Sequence, residues 1–86
     1  MNAYELNPTN SQKSFYGKAI VGIDSTGTKI LYSYGTKVCS IDNNGTFHRH
    51  WGGYSATTMK HINSFIDTYG INGGGKAWWI SQEVTR

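Results

Sequence analysis

A single cysteine, Cys39, stands in a chain of 86 residues. That excludes an intrachain disulfide and a cysteine-built zinc framework. Proline is as scarce, with Pro8 alone, and there are only five carboxylates: Glu5, Asp24, Asp42, Asp67 and Glu83. These fall near the termini, in turns and on an outer helix face, so none is paired with another for acid and base work. No apolar run is long enough to span a bilayer, and the polar start MNAYELNPTNSQKS is unlike a signal peptide. No membrane partner is therefore expected, and the expected location is the cytoplasm. The eight Lys and Arg are spread singly and leave a net charge of +3, without a polybasic arm. This length supports one small core and excludes two-domain enzyme architectures.

What the chain does have is aromatic and flexible: three Trp, six Tyr, three Phe and eleven Gly. Large rings let a small core bury enough surface. The strongest local pattern runs from Trp51 to Gly70. Gly52 and Gly53 break what precedes, Ser55 stands where an N-cap hydroxyl serves the first-turn amides, and Met59, Ile62, Phe65, Ile66 and Tyr69 recur three and four apart. Gly70 supplies the left-handed residue that ends a helix.

Upstream, residues 1–14 are polar and read as a mobile N-terminal arm, with Tyr4 and Leu6 as an anchor onto the domain or a partner. A single domain over residues 15–86 follows. Alternation predicts strands over 15–24, 29–34, 37–41 and 46–51. Ser25-Thr26-Gly27-Thr28, Gly35-Thr36 and Asp42-Asn43-Asn44-Gly45 supply the turns. The expected fold class is α+β: an antiparallel meander of three or four strands, one main helix packed on one face, and a short C-terminal element. Ala77–Val84 suits a short helix better than an edge strand.

The segments LYSYGTKVCSID, NGTFHRHW, GYSATTMKHINSF and YGINGGGKAWW resemble a small family of unknown function, found in phages, prophages and plasmids of Gram-positive bacteria. The resemblance covers roughly residues 14–79, and its most specific part runs from Tyr54 through Thr58 to His61-Ile62-Asn63. It implies a mobile-element setting and an α+β fold, and carries over no catalytic residue.

Four motifs compete with plainer readings. Gly70-Ile71-Asn72-Gly73-Gly74-Gly75-Lys76 has the skeleton of a phosphate loop, but a helix precedes it and Ala77 follows the lysine, so a helix stop and flexible joint fits better. His48 and His50 share a strand face and His61 could join them on zinc, yet three histidines alone are weak grounds, and no metal is expected. Thr57 and His61 are helical neighbours, and hydroxyls there more simply serve the helix start. Cys39, with no cation beside it, reads as a buried inert thiol.

The aromatic residues exceed what one helix can cover. The expectation is therefore a non-catalytic binding domain with no cofactor. In its sharpest form it is an anti-CRISPR-like inhibitor that occludes a host defence protein such as a CRISPR nuclease, with Tyr34, Arg49, Trp51, Tyr54 and Trp78 as contacts. The alternative is a nucleic-acid-binding domain acting in phage or plasmid replication or transcription, with Lys18, Lys29, Lys37 and Arg49 gathered on one face beside exposed rings. A self-associating domain, seen as a homodimer, is the third reading.

Overall fold

A computed structural model of the chain describes residues 2–9 and 14–85. Five strands, β1 (Asn2–Glu5), β2 (Ala19–Ile23), β3 (Lys29–Ser33), β4 (Thr36–Ile41) and β5 (Phe47–Arg49), lead to helices α1 (Ala56–Thr68) and α2 (Lys76–Ser81). The strands lie in sequence order as one antiparallel sheet. The class is α+β, and the strand number corrects the expected three or four to five.

The additional strand comes from the segment expected to be a mobile arm. Asn2–Glu5 pairs with β2, setting Tyr4 opposite Val21, and Leu6 is buried in the core. All four β1 side chains are exposed, and the strand is held by its backbone bonds, by the Tyr4 hydroxyl on that of Tyr69 and by the leucine that follows. The rest of the expected arm includes residues 10–13, which lie outside the described residues. The expected strand from residue 15 starts only at Ala19, because Phe15–Lys18 is a turn closed by the Lys18 amide on the Phe15 carbonyl at 3.0 Å.

One sheet face carries the core. Ala19, Val21, Leu31, Cys39 and Ile41 pack with Met59, Ile62, Phe65 and Ile66 of α1, and Trp79 of α2 joins them. Ser55 caps α1 by accepting from the Thr58 amide at 3.1 Å. The stretch 77–84 takes the helical of its two readings at α2, and Val84 then forms an isolated parallel bridge to Arg49. Both turns at one end of the sheet are built alike. Asp24 Oδ1 accepts from the amides of Thr26 and Thr28, and Asp42 Oδ1 from those of Asn44 and Thr46. These bonds favour the ionised form, so both carboxyls are held below their ordinary value, Asp24 chiefly by the Thr26 hydroxyl and Asp42 chiefly by His48.

Candidate functional site: an aromatic cleft at the tyrosine turns

At the other end of the sheet the chain turns twice on a Tyr-Gly pair. Tyr16-Gly17 has φ values of 53° and 76°, and Tyr34-Gly35 has 51° and 80°. Positive φ at two successive residues is the geometry of the tightest hairpin turn, which ordinarily takes Asn-Gly, Asp-Gly or Gly-Gly. A bulky side chain there is uncommon because its Cβ crowds the following carbonyl, at a cost of roughly 1–2 kcal/mol per residue. Neither ring recovers that cost by burial: Tyr16 is 76% exposed and Tyr34 58%. The turns are tied to each other, the Tyr34 amide donating to the Lys18 carbonyl at 2.8 Å.

Beside Tyr34 lies a cleft of about 240 Å³ lined by Ser33, Tyr34, Thr36, Val38, Trp51, Tyr54, Ser55 and Thr58. A β-bulge shapes it. The β3–β4 register slips between Leu31 and Tyr32, leaving Val38 without a partner across the ladder and free to wall the cleft. The Val38 carbonyl accepts from the amides of both His50, at 2.8 Å, and Trp51, at 3.0 Å, which brings Trp51 to the cleft. The floor is polar and closed: Ser33 Oγ lies 2.7 Å from His61 Nδ1 and 3.1 Å from Thr58 Oγ1. His61 is 1% exposed, and burial lowers its pKa, so it is a neutral ring at neutral pH. The ring meets Phe15 in an edge contact at 4.5 Å and Tyr34 in a tilted one at 5.6 Å between centroids.

A serine beside an imidazole is the beginning of a nucleophile, but this hydroxyl is buried and shared with Thr58. Asp24 and Asp42 stand at the far end of the sheet and Asp67 on the last turn of α1. What the cleft offers is three rings and four hydroxyl side chains, a surface suited to an apolar group with polar edges.

Of the expected contacts, Tyr34, Trp51 and Tyr54 are brought together here. Arg49 is not. It is 5% exposed and stacks 4.4 Å from the Trp79 ring. Its Nε donates to the Trp51 carbonyl at 2.9 Å and Nη1 to the carbonyls of Trp79 and Gln82 at 3.1 Å each. A cation on the last carbonyls of a short helix neutralises their partial charge, so Arg49 holds α2 to the sheet. Trp78 is also elsewhere, packed on Phe47 at 4.9 Å and against Gly73.

The lysines expected for nucleic acid do not share a face. The register sets Lys29 in line with Ile41 and Phe47 on the helix side, where its Nζ lies 5.6 Å from the Tyr69 ring centroid. Lys37 stands opposite Tyr32 on the other side, and Arg49 is inside. The three histidines are likewise divided. His48 and His50 lie on the open sheet face, with Nε2 atoms 2.8 Å from Asp42 Oδ2 and Ser40 Oγ respectively, while His61 is on α1 and bonds to Ser33 on the helix-covered side. His61 bonds to Ser33 and not to Thr57, which is exposed. Cys39 is fully buried and its thiol pKa is pushed well up by burial, as an inert core thiol requires. At the glycine loop, the Gly75 amide is taken by Asn63 Oδ1 at 3.1 Å. A larger hollow of about 360 Å³ borders that loop and Thr9.

Sequence patterning did not single out Ser33 or Thr58 for the cleft, nor Tyr16 for the turn beside it. The Tyr-Gly pairs at 16–17 and 34–35, each followed within two residues by lysine, were the available signal.

Fold and site together define a small α+β domain with an aromatic cleft at one end of its sheet. The chain belongs to a family of unknown function, DUF8033, whose model matches residues 4–81. No curated protein and no solved structure matches it. Among the described residues, no helix is long and apolar enough to cross a membrane.

Proposed function

We propose that this chain is a non-catalytic binding domain that acts by occupying the surface of a protein partner, with Tyr34, Trp51 and Tyr54 as its anchors and Tyr16 beside them. The observation that carries this reading is the pair of exposed tyrosines held at positive φ. Strain kept at a surface turn, where Asn would relieve it, is repaid when the ring is used. Tyr and Trp are also the residues that most often anchor interfaces.

In its sharpest form the partner is a defence nuclease of a bacterial host, and the domain is an anti-CRISPR-like inhibitor encoded by a phage or other mobile element. Occlusion of this kind needs a rigid surface and a few ring anchors, and no reacting group. Purified CRISPR nucleases assayed for DNA cleavage test it. Inhibition by the native chain that is lost in Tyr34→Asn and Tyr54→Ala supports the reading; undiminished cleavage at saturating protein counts against it. The alternative of nucleic-acid binding needs basic residues on one face, and the division of Lys29, Lys37 and Arg49 favours the protein partner.

A further inference from the structure

We infer that the cleft between Tyr34, Trp51 and Tyr54 receives one apolar side chain from an acidic peptide segment of the partner; this rests on the binding-domain reading above. Size decides the first part. At about 240 Å³ the cleft falls below the roughly 300–1,000 Å³ of pockets that hold whole small molecules, and suits a single Leu- or Phe-sized anchor. Its lining residues carry no charge, so what enters is neutral, and the exposed Thr36 and Ser55 hydroxyls can meet the backbone beside it, those of Ser33 and Thr58 being buried and bonded within the floor.

Charge decides the second part. Lys76 Nζ sits 5.0 Å from the Tyr54 ring centroid. Lys60 is exposed on α1, and Lys18 belongs to the turn whose carbonyl binds the Tyr34 amide. The first turn of α1, which opens at Ser55 on the cleft rim, has no acidic side chain to offset its amides. Asp24 and Asp42 are at the opposite end of the sheet and Asp67 in the last turn of α1. Two carboxylates are nearer, Glu5 on the β1 edge beside Gly17 and Glu83 between Gln82 and Val84 on the Arg49 side, and neither is in the cleft lining. A segment with carboxylates flanking its anchor would meet cations and helix amides on the rim.

Three synthetic peptides test this on the intact protein by amide-resolved NMR titration. One has a central Phe-Leu with Asp and Glu flanks, one the same centre with Lys and Arg flanks, and one acidic flanks around Ser-Ser. The expected result is binding of the first at least tenfold tighter than of either other, with shifts concentrated at Gly35, Trp51, Tyr54 and Ser55 and weakened by added salt. In Tyr54→Ala the affinity should drop about tenfold with the rest of the spectrum unchanged. Equal or tighter binding of the basic peptide, shifts centred away from the cleft, or no binding of any peptide overturns the inference. Each of those results leaves the occlusion reading standing on the nuclease assay, whose own failure is read without any peptide.

Discussion

Ser33 and His61 are joined across the layers of the domain, hydroxyl to Nδ1 at 2.7 Å, where the end of β3 meets the second turn of α1. The bond fixes the helix against the strand that leads into the Tyr34 turn, so the cleft floor and the tyrosine above it are set by one contact.

That contact predicts a pH dependence. Burial holds the pKa of His61 below its ordinary value of 6.5, and that of His50 is lowered too, chiefly by burial. The unfolded chain therefore takes up these protons first as pH falls. Stability should be full above about pH 6.5 and decline as pH drops below it towards the folded-state values. Thermal melts between pH 8 and pH 5 check this, and His61→Gln should flatten the decline. A melting temperature that rises over the same interval would contradict the neutral buried ring.

Arg49 should behave as a structural residue. Arg49→Met removes the donor to five carbonyls and should cost about 3 kcal/mol, with Trp79 emission shifting to the red. Arg49→Lys should recover only part of the loss, since one ammonium cannot reach the same fork of acceptors. A loss of partner binding at unchanged stability would return Arg49 to the contact surface.

The N-terminal segment gives the third expectation. Leu6→Ala should destabilise the domain by about 2–4 kcal/mol, as a truncated core leucine does, and should speed amide exchange in β2. An unchanged denaturant midpoint would mean that the segment is dispensable.

How much of this was legible can be traced residue by residue. α1 was, because Ser55 and the spacing from Met59 to Tyr69 state a capped amphipathic helix locally. The Asp42–Gly45 turn was legible for the same reason. β1 was not: with all four side chains exposed it shows no alternation, and only its pairing with β2 makes it a strand. Arg49 alternates with His48 and His50 and so shares a strand face with Phe47, but a charge there reads as surface until Trp79 and the α2 carbonyls arrive from thirty residues onward. The cleft gathers Tyr34, Trp51 and Tyr54 through a bulge at Val38, and a one-residue slip in register leaves no mark in composition. The left-handed tyrosines were hidden because that turn announces itself with Asn-Gly.

The measurement that bears most directly on the central claim needs no partner: the thermal stability of Tyr16→Asn and Tyr34→Asn, singly and together. If the rings are held at a conformational cost for binding, Asn should stabilise each turn, and the pair should gain about 1 kcal/mol, a rise of roughly 4–8 °C for a domain of this size. A fall in melting temperature would show that the tyrosines stabilise the free domain, and would remove the strain that marks this end as a docking surface.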